Sequence, residues 1–161
     1  MNMPSLNLLA SRWAVAYRTP ATVRRLVGAV VVVCAAAVLG VAAFLDPSPA
    51  GLGTHTSLNL PGCTWIAIMD VPCPTCGMTT AFAHAANGDL AASLYTQPLG
   101  FLLAIATAGA LLVGAYVVWT GSRVAAMFGA LWGRSTGWWL GGLAVGAWGF
   151  KILTYKGIIF R

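Results

Sequence analysis

Two long apolar runs without a charged residue constrain this chain more than any other feature. Leu26–Leu45 covers twenty residues, and Leu99–Thr120 forms a second run that begins after Pro98. At 1.5 Å per helical residue, each run is long enough to cross a hydrocarbon core of about 30 Å. Proline suits the first position of a helix, where its missing N–H is not needed. The sequence therefore predicts transmembrane helices at about 26–45 and 98–120.

The composition also excludes an ordinary soluble protein. Hydrophobic residues make up 59% of the chain and charged residues 7%, whereas soluble domains carry about 25% charged residues. The formal net charge is +6, but the basic residues border the apolar runs, where they orient spans and contact anionic lipid. We therefore expect an all-α protein in a lipid bilayer, with no nucleic-acid partner. It has a basic arm (1–25) and a single membrane domain (26–161).

A third span is predicted at about 137–153. This run is apolar up to Phe150, is interrupted by Lys151, and resumes with Ile152. A lysine near the end of a span can extend its ammonium group to the headgroups, so we expect Lys151 to do so. The preceding run 124–132 is too short to cross a membrane and is interpreted as an interfacial helix or part of a helical hairpin connection. The fold is thus about three spans plus short amphipathic helices in 46–97.

The distribution of basic residues predicts the orientation. With three spans, the N-terminal arm and the 121–136 connection lie on one face and carry six Lys and Arg residues: Arg12, Arg18, Arg24, Arg25, Arg123 and Arg134. The segment 46–97 carries none, and the C-terminal tail on its side carries three. Basic residues favour the cytoplasm. We expect a bacterial inner-membrane protein with a cytoplasmic N-terminus and an exoplasmic 46–97 loop, although the basic tail opposes this orientation.

The third run is rich in glycine at helical spacing. Gly137 and Gly141 form one small-xxx-small pair, and Gly142 and Gly146 form another. Such pairs let helix backbones approach closely in lipid. They predict packing either within the chain or between two copies or subunits. Aromatic residues near the proposed ends of this run are interpreted as interfacial anchors: Trp132, Trp138, Trp139, Trp148 and Tyr155.

The 46–97 loop should contain two short helices. Proline and glycine punctuate 46–62 and predict irregular structure there. Apolar residues at spacings of three to four predict a helix at about 75–87, ended by Gly88. Asp89 is suited to cap a second helix that runs through Tyr95.

This loop also brings three cysteines into one short stretch. Cys63 precedes Cys73 and Cys76, and the latter two lie in the sequence Cys-Pro-Thr-Cys-Gly. One interpretation is a structural disulfide from Cys63 to one of the pair, since disulfides persist in exported segments. A second is a redox-active Cys73–Cys76 pair whose pKa is lowered at the head of a helix. The fourth cysteine, Cys34, lies mid-span and is expected to act as a small hydrophobic residue.

The third interpretation is a metal site, because Cys-Pro-x-Cys-Gly has the form of a metal-binding knuckle. A closed zinc site requires four ligands, usually two such pairs, so Cys63, Cys73 and Cys76 leave one place open. His55, in the flexible loop, is the possible fourth ligand, and His84 and Asp70 are further candidates. Soft thiolates favour Zn or Cu(I). The spacing alone leaves all three interpretations open.

These motifs resemble a known family. The resemblance covers about residues 60–120 and depends on Cys63 and three later runs: Pro72-Cys73-Pro74-Thr75-Cys76-Gly77-Met78-Thr79-Thr80-Ala81-Phe82, Asn87-Gly88-Asp89-Leu90 and Gln97-Pro98-Leu99. Together they resemble the small bacterial membrane proteins grouped as domain-of-unknown-function family 2752. The resemblance implies a helical membrane protein with the cysteine motif as its signature, and it implies no activity. Thr80 stands where the family often has Arg, and Gln97 where it often has Asn.

The sequence favours a non-catalytic role. It contains no Gly-x-Ser-x-Gly, His-Glu-x-x-His or phosphate-loop motif. We expect an accessory or assembly subunit of a membrane complex, which associates with other subunits or with itself. The alternative is a thiol-redox or metal-handling protein that uses Cys63, Cys73 and Cys76. If the chain is an enzyme, its reaction would be thiol–disulfide exchange at Cys73 and Cys76.

Overall fold

The computed structural model describes residues 19–124 and 134–158, and within these ranges it is helical without strands. This confirms the all-α expectation for the described residues. The elements in order are α1 (Ala21–Phe44), a 3-10 helix (Thr54–Leu58), α2 (Thr64–Met69), α3 (Met78–Ala86), α4 (Leu90–Thr96), α5 (Pro98–Thr120) and α6 (Arg134–Tyr155).

Two of these helices, α1 and α5, are long and apolar enough to cross a membrane by length and composition. Helix α5 begins at Pro98 as predicted. Helix α1 begins at Ala21, so Arg24 and Arg25 lie inside its first turns instead of before it. The third predicted span, 137–153, lies within α6. Most of the proposed 124–132 interfacial helix lies outside the described residues.

The chain forms two compact units whose boundaries fall within α1, α5 and α6. The first unit joins the start of α1 to the end of α5 and includes residues up to Trp138, and the second contains 37–108 and the rest of the chain from Trp139. The two units are described separately below.

In the first unit, α1 and α5 run antiparallel and contact each other through two glycines. A Cβ on Gly28 would lie 3.2 Å from the carbonyl oxygen of Gly114, and a Cβ on Gly114 would lie 3.0 Å from Val32 Cγ2. Arg24, near the start of α1, links this helix to the residue after the end of α5, because its Nε donates to the Gly121 carbonyl at 2.9 Å. Close backbone approach through small residues is the usual packing of helices in lipid.

The second unit contains the short helices and the cysteines. Helices α3 and α4 form a hairpin, in which Ser93 Oγ donates to the Ala81 carbonyl at 2.7 Å. Asp89 caps α4 as predicted, since its carboxylate accepts from the Ala92 N–H at 2.9 Å. Helix α5 lies close to this hairpin, because a Cβ on Gly100 would be 2.9 Å from Ala81 Cβ.

The sequence did not predict two of the elements in this unit. The segment 46–62 contains the 3-10 helix, which is joined to α3 by a buried hydroxyl pair, Thr54 Oγ1 and Thr80 Oγ1, at 2.8 Å. The apolar run after Cys63 forms α2, a helix of six residues. Neither segment is long enough to show a helical period, so their conformation depends on tertiary contacts.

Candidate functional site

The three loop cysteines converge on one point. The Sγ atoms of Cys63, Cys73 and Cys76 all lie within 4.8 Å of one another. Cys73 Sγ and Cys76 Sγ are 3.3 Å apart, and all three residues are free thiols. This is an arrangement of three sulfurs around a common centre, although Cys63 is ten residues from its nearest partner in sequence.

A reverse turn brings Cys73 and Cys76 together. The Cys76 N–H donates to the Cys73 carbonyl at 3.0 Å, with Pro74 at the second position of the turn, where its fixed φ is suited. Gly77 then takes φ +84° as the N-cap of α3, a conformation that favours glycine. The predicted helix 75–87 therefore begins three residues late, and the cysteines occupy the turn before it.

Cys63 reaches the same point from another element. It is the N-cap residue of α2, with extended backbone at φ −66° and ψ 115°. The remaining positions of this helix carry apolar side chains, among them Trp65 and Ile66. Helix α2 thus holds the third sulfur over the turn that carries the other two.

Side chains from the junction between α4 and α5 and from α6 donate hydrogen bonds to the backbone of the turn. Gln97, fully buried, donates through Nε2 to the Pro74 carbonyl at 3.1 Å. Trp148 donates through Nε1 to the Pro72 carbonyl at 2.9 Å. The Trp148 ring also packs edge-to-face on Trp65 of α2, with centroids 6.2 Å apart. Trp148 therefore packs against the cysteine turn, a role that its interpretation as an interfacial anchor did not include.

Lys151 is buried in the same region, which corrects the expectation that its side chain extends to the headgroups. The residue is 5% exposed. Its Nζ donates to the carbonyls of Gly51, at 2.8 Å, and Thr96, at 3.0 Å. The side chain turns inward because these two loop carbonyls provide acceptors close to the helix.

The environment shifts the pKa values of Cys63 and Cys76 in opposite directions. Burial acts to raise the pKa of Cys63, but hydrogen bonds from the Ile66 backbone and from the Cys76 and Cys73 side chains outweigh it and lower the pKa to about 6. Burial, together with hydrogen bonds to Cys63 and Cys73, raises the pKa of Cys76 to about 12. The expectation of a lowered pKa in the Cys73–Cys76 pair is therefore wrong for Cys76, which precedes α3 and is buried.

The possible fourth ligand, His55, is not part of the sulfur cluster. The described group of metal-ligand atoms within 4.8 Å contains only the three cysteines. His55 lies in the 3-10 helix, and its Nε2 is 3.2 Å from the Pro61 carbonyl oxygen, a hydrogen-bonding distance. Asp70 instead accepts from Tyr155 Oη at 2.9 Å and from Lys156 Nζ at 2.8 Å. Those hydrogen bonds and the Lys156 charge lower the pKa of the Asp70 carboxyl.

The cluster faces a large open groove. The groove has a volume of about 1520 Å³, and its walls come from the last turns of α1, the 3-10 helix, α2 and the start of α3. All three cysteines line it, as does His55. Most other lining side chains are apolar, such as Val38, Leu45 and Phe82. An ion or small molecule in the groove therefore has direct access to the sulfurs.

The glycines of α6 that were predicted to form a close helix contact have no neighbouring side chain in the part of the chain that the structure describes. A Cβ on Gly137, Gly141, Gly142 or Gly146 would meet no atom of the described chain within 4 Å. The close helix contact through glycine is instead the Gly28–Gly114 contact of α1 and α5. The small-xxx-small face of α6 is therefore available to lipid or to another protein.

Sequence reasoning missed the residues that support the cluster. Gln97 and Trp148 hold the turn, Lys151 is buried beside it, and the buried Thr80 contacts Thr54. The signal available for Lys151 was its position, because a charge that interrupts an apolar run often marks a functional group. Gln97 was marked only by its place in the family motif, where the family often has Asn, and that place did not indicate a contact with Pro74.

Comparison with known proteins gives one match. The curated proteins and the solved structures contain none that matches this chain. A family model described as "Protein of unknown function (DUF2752)" matches residues 63–111, a segment that begins at the first cysteine of the cluster and ends within α5. The resemblance stated from the motifs is thereby confirmed, and the part of this chain that carries the three-sulfur cluster is similar to the DUF2752 family.

Proposed function

We propose that this chain is a membrane protein that binds a thiophilic metal ion, Zn²⁺ or Cu(I), through Cys63, Cys73 and Cys76. The observation that supports the proposal is the convergence of three sulfurs within 4.8 Å. A disulfide uses two sulfurs and leaves the third without a role. Three sulfurs at about 2.3 Å from one ion lie roughly 4 Å apart, so small side-chain rotations bring this cluster to binding geometry.

The open side of the cluster favours metal handling over a purely structural site. Structural zinc sites have four protein ligands, whereas an ion with three protein ligands keeps one position for an outside group. Here the groove borders all three cysteines. An ion held there can be exchanged with a ligand that enters the groove, as delivery to an exported enzyme requires.

The proposal is tested by purification from membranes without reductant or chelator. Metal content is measured by mass spectrometry, and free thiols are counted before and after metal removal. We expect about one ion per chain, lost in Cys63→Ser and Cys73→Ser and kept in Cys34→Ser, since Cys34 is not in the cluster. A metal-free protein that also fails to bind added Zn²⁺ or Cu(I) after reduction contradicts it. Two thiols locked against mild reductant would indicate a disulfide instead.

The topology that accompanies this function has three spans, with α6 as the third. The N-terminus is cytoplasmic and the 46–97 loop exoplasmic in the bacterial inner membrane. The antiparallel contact of α1 and α5 supports a loop with both ends on one side of the membrane. In intact cells, and in a variant whose four native cysteines are replaced by serine, a membrane-impermeant thiol reagent should label an engineered Ser57→Cys and leave Ser122→Cys unlabelled. The reverse pattern inverts the topology.

A second function, an accessory or assembly subunit of a membrane complex, is favoured by the open glycine face of α6. Gently solubilised membranes should then yield this chain with other membrane subunits or as an oligomer. Gly141→Leu should weaken that association, while Gly109→Leu, on an open position of α5, should not. Recovery of the wild-type chain alone, as a monomer, contradicts this role.

A further inference from the structure

Lys151 carries a buried positive charge that no acidic side chain balances. The residue is 5% exposed, and its two hydrogen bonds go to neutral backbone carbonyls. Within residues 19–124 and 134–158, the ion pairs are His84–Asp89 and Lys156–Asp70, neither of which includes Lys151. A buried ammonium group is costly unless an anion compensates it.

The turn that carries Cys73 and Cys76 lies beside this ammonium group. A Cβ on Gly77, the residue directly after Cys76, would lie only 2.9 Å from Lys151 Nζ and 3.1 Å from its Cε. The lysine thus fills the space over the end of the cysteine turn. Thiolates bound to an ion at this turn would therefore lie beside the ammonium group.

A metal-loaded cluster would supply the missing negative charge. Three thiolates carry a net charge of about −1 around a divalent ion and about −2 around a monovalent ion. A disulfide is neutral and would leave the lysine uncompensated. The buried charge of Lys151 therefore favours a metal–thiolate cluster over a disulfide at the same three cysteines.

We propose that Lys151 is the buried countercharge of an anionic metal–thiolate cluster, and this inference rests on the metal-binding function proposed above. Lys151 is a positioning residue in this proposal: it contacts no ion, and it stabilises the thiolate form of the ligands. Residues that act on metal ligands from outside the coordination sphere commonly change metal affinity 10–100-fold.

The test measures the affinity of the full-length protein for Zn²⁺ and for Cu(I), each by competition with a chelator. Lys151→Gln keeps N–H donors for the two carbonyls but removes the charge, and we expect an affinity at least tenfold lower. Lys151→Arg restores the charge and should recover part of that loss. Lys156→Gln is the matched control, because it removes a more exposed lysine charge just beyond the C-terminal end of the same helix.

A comparison of Zn²⁺ with Cu(I) shows whether Lys151→Gln lowers the affinity through its lost charge or through a structural change. The loss in Lys151→Gln should be larger for Cu(I), because that cluster is more negative. Trp148→Phe removes a neutral hydrogen bond to the turn and should lower both affinities by the same factor. Equal losses for the two ions in Lys151→Gln, or an affinity within twofold of wild type, would overturn the inference.

Two further outcomes remain distinguishable. A wild-type protein that binds neither ion refutes the metal-binding function itself. If Lys151→Gln does not fold, Lys151→Met takes its place in the comparison, because it has a side chain of similar length without the charge. A loss of affinity that is larger for Cu(I) than for Zn²⁺ supports the inference, and equal losses overturn it.

Discussion

At the scale of single residues, the Cys63 and Cys76 thiols are chemically unequal although they share one centre. Cys63 has a pKa of about 6 and Cys76 a pKa of about 12. The thiolate is the nucleophile and the metal ligand, so near neutral pH Cys63 binds an incoming ion more readily than Cys76 does. Cys76 must lose its proton as the ion binds, and metal loading should release protons.

This inequality predicts the order of alkylation in the reduced, metal-free protein. Because the pKa of Cys63 is lowered, its thiolate predominates above about pH 6, and its labelling by iodoacetamide should rise through that pH and then level off. Cys76 should stay unlabelled up to about pH 9, because its raised pKa keeps it protonated. Peptide mass spectrometry after timed labelling measures both. Equal labelling of the two at pH 7 would contradict the prediction.

Gly77 provides a second test at this scale. It has φ +84°, and a Cβ there would lie 2.8 Å from the Gly51 carbonyl oxygen. Gly77→Ala should therefore combine backbone strain of about 1–2 kcal/mol with a steric clash, and should disrupt the cluster. Gly53→Ala is the matched control, since its φ is +86° with no atom within 4 Å.

The comparison is made by thermal unfolding in detergent and by metal stoichiometry. We expect Gly77→Ala to be less stable than Gly53→Ala and to lose metal, because only the former displaces the neighbouring loop. Similar stability and full metal content in both variants would show that the loop near Gly51 moves away with no loss in the free energy of unfolding, and would contradict the prediction.

At the scale of elements, the sequence predicted those that have a long or regular pattern. Helices α1 and α5 follow from charge-free length, α3 from its apolar spacing, and the start of α4 from Asp89 as a cap. The 3-10 helix and α2 have five and six residues, which is too short for a periodic signal. Their structure depends on partners distant in sequence, such as Thr80 for Thr54, and a single sequence does not show those partners.

The candidate site was likewise predictable only where its residues form a local pattern in the sequence. The cysteines were visible as residue types at a suggestive spacing. Their convergence depends on α2 lying over the turn, and the support from Gln97, Trp148 and Lys151 comes from up to 78 positions beyond Cys73. No local pattern records contacts across that separation.

The α1–α5 contact gives a prediction for whole elements. Gly114→Leu places a side chain where a Cβ alone is 3.0 Å from Val32 Cγ2, and overpacking of this kind costs roughly 1–3 kcal/mol. Gly109→Leu, on the same helix with no atom within 4 Å, should leave the stability nearly unchanged. Thermal unfolding in detergent measures the difference. Equal stability of both variants would mean that the helices separate easily.

At the scale of the whole molecule, large apolar side chains lie exposed on the two helices that are long and apolar enough to span a membrane. Phe44 is 91% exposed and Trp119 is 87% exposed, each at the end of a helix long enough to span a membrane. Water would not solvate such surfaces favourably. Lipid tails and the interfacial region would do so, which is where aromatic residues concentrate in membrane proteins.

This predicts the behaviour of the protein on extraction. After a wash of the membranes at about pH 11, which removes peripheral proteins, the chain should remain in the pellet and should be released by detergent. Immunoblotting of both fractions measures this, with a known peripheral protein as the control. Release of most of the chain into the alkaline supernatant would contradict a spanning topology.

The hydroxyl pair between Thr54 and Thr80 has a consequence for how this protein can diverge. Thr80 is fully enclosed, and Thr54 Oγ1 also accepts from the Ser48 N–H at 3.0 Å. A long cation at position 80 has no room unless position 54 gives way, so the two positions should covary among natural sequences. Chains with arginine at 80 should carry a smaller residue or an acid at 54, and Thr80→Arg here should be rescued by such a change.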